Sequence, residues 1–319
     1  MTCKNHQIKI GLVNFPGAQQ SALLGLGDLF QAATNLAEPY SAPSLETVHI
    51  ELLGNPSNSL PECGTLDAII CPPRLQEGAP LVSISELAWL KSHHDAGCLI
   101  CSICAGAFIL ASAGLLNDRP ATTHWQLKDA FHIEFPDVLL DTDKLLIDDG
   151  DIVTAGGVMA WIDLGLHLIE RYQSPILMLS VARQFLVEPR RREQRYYSSF
   201  SPQLGHSDKG ILKVQHWLQR SYRKHQTIKD MAEIAGMSER TFLRRFHKLT
   251  GLTPIAYLQT LRVEKARALL ELSTDSFSQI AWNVGYQDPA ALRKIFIRIV
   301  GLGPKEYRKR FGVTEFLVS

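Results

Sequence analysis

At 319 residues, 45% apolar and 20% charged, the chain is long enough for two domains and apolar enough to bury a core in each, which excludes a disordered or low-complexity protein. Its net charge of +1 conceals a division: residues 1–187 hold 9 Lys and Arg against 20 Asp and Glu, a net of −11, whereas residues 188–319 hold 24 against 12, a net of +12. An acidic body with a basic arm points to a polyanionic partner for the C-terminal part, and six cysteines confined to positions 3, 63, 71, 98, 101 and 104 argue against a disulfide framework and suit a reducing cytoplasm.

The opening residues MTCKNHQIKI carry no apolar signal core. Apolar runs of strand length follow at 9–15 (KIGLVNF), 47–53 (TVHIELL), 66–71 (LDAIIC) and 98–103 (CLICSI), with helical spacing at 84–94 and 106–115. Near-continuous apolar strands alternating with helices imply a parallel sheet covered on both faces, an α/β domain. Residues 97–117 are uncharged and long enough to span a bilayer, but Gly97, Ser102, Gly106, Ser112 and Gly114 make the stretch turn-prone, and no basic flank accompanies it. A buried strand, turn and helix is the expectation there. His93 and His94 are expected at the surface, at a helix end. Helices over about 159–187 close this domain.

Residues 188–207 are polar, basic at the start and without apolar periodicity, as in a linker. Beyond them the pattern is helical throughout. Thr227 with Asp230 and Ser276 with Gln279 are spaced as capping boxes, and Thr253-Pro254 and Asp288-Pro289 pair an N-cap residue with proline at the first helical position. Gly236, Gly251, Gly285 and Gly301 stand where helices should end.

Two segments of the basic part share one plan: 228–251 (IKDMAEIAGMSERTFLRRFHKLTG) and 277–301 (FSQIAWNVGYQDPAALRKIFIRIVG). Each reads as a short helix, a glycine-containing turn, a polar N-cap and a second helix. That second helix sets apolar residues on one side (Phe242 and Phe246; Leu292 and Phe296) and basic residues on another (Arg240 and Arg244; Arg293 and Lys294). This is the plan of a helix-turn-helix, whose second helix enters the major groove. Arginine suits base reading because its planar fork bonds O6 and N7 of guanine together. A long helix over about 254–272 spaces the two units so that their recognition helices reach successive major grooves.

Residues 209–311 resemble the DNA-binding domain of AraC-type regulators, through 235–270, 280–311 and the closing element Gly301, Pro304, Tyr307, Arg308. The resemblance implies double-stranded DNA as partner, with Arg240, Thr241 and Arg244 outward on the first recognition helix and Ala290, Arg293 and Lys294 on the second. Ala290 departs from the longer polar residue often found there. Arg245, Lys305, Arg308 and Lys309 are read as solvated surface or phosphate contacts.

The acidic part holds one chemically suggestive element, SICAG (102–106), between a strand and a helix. A residue on such a turn is held exposed, and a helix N-terminus stabilises a thiolate. Cys104 occupies that place, with His124 in ATTHW as a candidate base. Cys98, Cys101 and Cys104 mimic a metal-binding spacing, but residues three apart on a strand face opposite sides, so no metal is expected. The segments 102–125 and 154–172 resemble PfpI-type glutamine-amidotransferase-like domains of the version fused to AraC-type DNA-binding domains. That resemblance implies a flavodoxin-like, mostly parallel sheet joined to an all-α domain with two helix-turn-helix units: a ligand-sensing and dimerisation domain over 1–187, a linker over 188–207 and a DNA-binding domain over 208–319. PfpI-type enzymes place a carboxylate after the first strand, and here that place falls on or next to Ala22, with Asp28 further along. Ser102 replaces the glycine of hydrolase elbows, and no neighbouring carboxylate orients His124.

The expectation is therefore a cytoplasmic transcription regulator rather than an enzyme, without cofactor or membrane contact. A small nitrogenous metabolite is its implied effector, with Cys104, Ala105 and His124 as pocket candidates, and it pairs as a homodimer. RNA polymerase is a further partner if it activates. The rival readings are a Cys104-dependent hydrolase or deglycase and a thiol redox sensor.

Overall fold

The computed structural model describes residues 7–52, 60–76, 82–189, 193–200 and 202–313. They form two compact units, Met1–Arg195 and Tyr196–Ser319. The boundary falls inside the segment expected as a linker. Gln194 is buried in the first unit, and Phe200 packs edge-on against Tyr257 in the second.

The first unit is built on β1 (Gln7–Asn14), β2 (Ser44–Glu51), β3 (Ala68–Cys71), β4 (Leu99–Ile103), β7 (Leu146–Asp148) and β8 (Ile152–Ala155) in the order β2-β1-β3-β4-β8-β7. All neighbours pair in parallel except the edge strand β7. Leaving out β7, this is a doubly wound order of the flavodoxin kind. β3, β4 and β8 are buried along their whole length, because α1 (Gln20–Asn35), α2 (Ile84–Asp95), α3 (Ala107–Ser112), α5 (Trp161–Tyr172) and α6 (Pro175–Gln184) leave neither face to solvent. A short parallel pair, β5 (Pro120–Ala121) and β6 (Leu139–Leu140), flanks α4 (Lys128–Glu134).

The uncharged stretch 97–117 is β4, a tight turn and α3, and among the described residues no helix is long and apolar enough to cross a membrane. His93 departs from expectation. It is fully buried, its ring tilted over Trp89 at 4.7 Å, because positions four apart share one face of α2 and that face turns inward. Only His94 reaches outward, pairing with Asp151 at 2.7 Å.

α1 carries two glycines that weaken a helical signal. At Gly25 the reason is steric, since a Cβ would lie 2.4 Å from the Trp161 ring. Gly106 is as constrained: its Cβ would lie 2.3 Å from the carbonyl oxygen of Cys71. The turn after β4 therefore closes directly on the end of β3.

The second unit is all-helical: α7 (Lys209–Ser221), α8 (Ile228–Ala235), α9 (Glu239–Thr250), α10 (Pro254–Leu272), α11 (Phe277–Asn283), α12 (Pro289–Val300) and α13 (Pro304–Phe311). Both capping boxes are formed, Thr253 and Asp288 cap α10 and α12 ahead of proline, and the four punctuating glycines all have positive φ. There are two cores. Phe242, Phe246, Ile211, Leu218 and Met231 surround Tyr257 and Leu258 of α10, while Ile280, Leu292, Phe296 and Tyr307 surround Val263, Ala266 and Leu270 of the same helix.

Replacing Gly106 with Ala is expected to lower the stability of the first unit by about 1–3 kcal/mol through overpacking against the β3 carbonyls. Urea titration of the variant checks this, and an unchanged midpoint would contradict the close approach.

Candidate DNA interface and effector site

Each repeat places its basic side chains where the helix has no core partner. On α9, Phe242 and Phe246 are fully buried, which turns Arg240, Arg244, His247 and Lys248 to solvent. Thr241 is half-buried and its hydroxyl accepts from Ser238 Oγ at 3.0 Å, joining the N-cap. Arg244 and Lys248, one turn apart, line an open groove of about 670 Å³ together with His206 and Asp208, which precede α7. On α12, Leu292 and Phe296 are buried, and Ala290, Arg293 and Lys294 are exposed. The Arg293 guanidinium lies 5.6 Å over the Phe277 ring, so its direction is set from within the unit.

Of the basic residues expected at the surface or on phosphate, Arg245 is exposed but tied down, and Arg308 is part-buried and fastens the unit internally. Arg245 pairs at 2.6 Å with Asp208, whose other oxygen accepts the first amides of α7. Arg308 donates to the carbonyls of Leu270 (3.3 Å), in the last turn of α10, and of Asp275 (2.6 Å), just beyond it, while the neighbouring Tyr307 hydroxyl bonds Glu271. Lys305 and Lys309 are exposed. In sequence Arg244 and Arg245 look alike. Both are exposed, and what distinguishes them is a carboxylate 37 positions away that pairs with Arg245.

In the first unit, Cys104 follows β4 with φ +53, a left-handed conformation that costs an L-residue energy and marks an elbow. Thr123 Oγ1 holds the Cys104 carbonyl at 2.8 Å, and Gly106 seats the turn against β3. The side chain is 4% exposed, and burial pushes its thiol up to about 11, opposed by the Ala105 N–H. Ala105 is equally enclosed. His124 is half-buried, its pKa lowered by burial, and its Nδ1 accepts from the Gln126 N–H at 3.2 Å. The lone pair a general base needs is thus engaged and the proton is assigned to Nε2. Ala22 is fully buried within α1, Asp28 is exposed, and Ser102 is fully buried with no partner for its hydroxyl. Cys98 and Cys101 are buried before and within β4, and among the described residues no cluster of metal-ligating side chains forms.

Residues 231–310 match the helix-turn-helix domain family and residues 80–171 the DJ-1/PfpI family. The HTH-type transcriptional regulator CdhR of Pseudomonas aeruginosa is 30% identical over 230 residues, spanning 71% of this chain and 68% of CdhR. This chain belongs to the AraC-type transcriptional regulators with a DJ-1/PfpI domain. The HTH-type transcriptional regulator GlxA of Rhizobium meliloti is 29% identical over 225 residues, 68% of this chain and 67% of GlxA. An isonitrile hydratase of Pseudomonas putida is 29% identical over 168 residues, 51% of this chain and 71% of that enzyme.

The fold of the regulator also encloses a residue that its sequence gives no reason to single out. Gln194 is 2% exposed, and its amide is bonded on both sides within the loops around the elbow. A lone glutamine in a polar, basic stretch reads as surface, and only the fold shows otherwise.

Alkylation of Cys104 by iodoacetamide, followed at its peptide by mass spectrometry, is expected to rise about tenfold per pH unit from 7 upward and to level only near pH 11. In urea the plateau should move down to about 9; a native plateau near 7 would mean an activated thiol. Arg308→Ala is expected to destabilise the DNA unit by about 1–3 kcal/mol by leaving two carbonyls unpaired, with the ratio of operator to random-DNA affinity unchanged in a competition assay.

Proposed function

We propose that this regulator binds double-stranded DNA as a homodimer, reading bases with Arg240, Thr241 and Arg244 of α9 and with Arg293 and Lys294 of α12, and that a small-molecule effector held at the Cys104 elbow controls it. The observation that carries the DNA reading is the duplicated helix with one aromatic face buried and a basic face left to solvent, in a unit of opposite charge to its companion. Ala290 offers only a methyl group, which suits contact with a thymine methyl or none. The unit over 196–319 is the DNA-binding domain, and the sheet-bearing unit is the sensor and the seat of dimerisation. RNA polymerase is the further partner wherever the regulator activates.

The reading of Cys104 and Ala105 as pocket walls, without turnover, is supported by the thiol's protonation. At about 11 its pKa leaves on the order of one thiolate in 10⁴ at neutral pH. Burial and the Ala105 N–H are what move it, so neither His124 nor a carboxylate activates it. His124 keeps an Nε2–H free to donate to a bound molecule. The elbow also lies past the C-terminal ends of the parallel strands, where sheets of this kind take ligands.

Genomic fragments retained by the purified full chain, sequenced at increasing salt, test the function. Paired sites about one helical turn apart that survive salt removing random DNA are expected. Arg244→Ala should then cost about 1–3 kcal/mol on the recovered operator and relax preference at one base position. Equal loss on operator and random DNA would reject base reading by this residue.

A further inference from the structure

Gln194 is the last residue but one of the sheet-bearing unit. Its Nε2 faces Thr122 Oγ1 (3.0 Å), the Thr123 carbonyl (2.8 Å) and the Lys144 carbonyl (2.9 Å), and its Oε1 accepts from the N–H groups of Trp125 (3.2 Å) and Gly157 (3.3 Å). The backbone N–H of Gln194 is spent as well, on the Asp143 carbonyl at 3.0 Å. Gly156 is glycine for the same reason: a Cβ there would lie 1.9 Å from Nε2. A glutamine amide has two protons and two lone-pair directions, and all are used in a site closed to water.

One of the groups it bonds touches the elbow directly, and another adjoins His124. Thr123, whose carbonyl it takes, holds the Cys104 carbonyl through its own hydroxyl. Trp125 follows His124 and stacks on it at 5.7 Å. Gly157 begins the turn that leads to Met159, against which the Gln19 amide at the start of α1 rests at 3.9 Å. A molecule that displaces the 122–125 or 156–159 turn must therefore strain or release Gln194.

Arg195 follows, its own N–H on the same Asp143 carbonyl at 3.4 Å, and the chain is next held inside the DNA-binding unit. There the buried Arg267 of α10 bonds the carbonyls of Tyr196 and Ser198, and Glu264 of α10 accepts the Phe200 N–H at 3.2 Å. α10 carries both helix-turn-helix cores. We infer that Gln194 is a positioning residue that transmits the state of the Cys104 elbow, along the covalent chain, to α10 and its recognition helices. The inference rests on the effector reading of that elbow and names the residue through which the effector acts.

Coupling between two sites is reciprocal in binding free energy, so operator binding must change the elbow's affinity for its occupant by the factor that the occupant changes operator affinity, and the elbow must differ between free and operator-bound chains. Hydrogen exchange of the full-length chain, with and without a recovered operator duplex, reads this without knowledge of the effector. In the wild type, exchange at 104–107 and 122–125 is expected to change about fivefold or more when operator binds. In Gln194→Met, which keeps the volume and loses the amide, and in Gln194→Ala, that difference should vanish while operator is still bound. A merely structural role would shift exchange equally in free and bound chains and leave the difference in place, which would overturn the inference. So would a wild type whose elbow does not respond to operator. Native mass spectrometry of the same proteins for retained small molecules separates the two ideas. Retention with an unresponsive elbow rejects Gln194 and keeps the effector site, whereas a Gln194-dependent response without retention does the reverse.

Discussion

The DNA-binding unit depends on one long helix being apolar on two sides at once. α10 lends Tyr257, Leu258 and Leu261 to the core of the first helix-turn-helix and Val263, Ala266 and Leu270 to that of the second. Nineteen residues of α-helix span about 28 Å, comparable with the ~34 Å repeat of a duplex. Neither short repeat has a core without it. Buried in this way, α10 holds two recognition helices at a fixed separation without any contact between them being needed. Its polar residues serve the same end. Arg262 bonds the carbonyls of Tyr222 and Lys224 past α7 and lies over the Tyr286 ring, and Arg267 gathers the incoming chain.

A second constraint shapes the sheet-bearing unit. The chain must reverse from β4 into α3 while pressed against the carbonyls that end β3, which leaves room for glycine at 106 and forces Cys104 into a left-handed conformation. In an enzyme of similar build such a turn presents a nucleophile. Here the same geometry encloses the thiol, and without a charged neighbour desolvation decides its protonation. The strained turn is present, while Ala22, on or next to the place where an acid is expected, is fully buried within α1 and Asp28 is exposed.

Charge also sorts by neighbourhood rather than by type. Of the arginines in the basic unit, Arg262, Arg267 and Arg308 are committed to carbonyls of the unit itself, and Arg245 pairs with Asp208 from an exposed position. Arg240 and Arg244 stay in solvent because the aromatic residues two positions away are in the core. The committed set fixes the helices, and the solvated set is left, among the described residues, with its charge unpaired in solvent, as the proposed DNA contact requires.

Much of this was legible from the chain alone, for a physical reason. Helix caps, proline at first turns, left-handed glycines and the alternation of aromatic and basic residues are interactions between residues a few positions apart, so their spacing in sequence is their spacing in space. The four apolar strands, α10 and both helix-turn-helix units follow from such patterns. So does the elbow, whose strand-glycine-helix order is local. Tertiary structure decided what depends on residues far apart in the chain: that His93 is core, that Gly25 makes room for Trp161, that short β8 with its Thr154 is a central strand, that Arg245 belongs to Asp208 and Arg308 to the end of α10. Gln194 is the plainest case. Its partners come from positions 122 to 157, and no local pattern announces a glutamine whose amide the fold surrounds with partners.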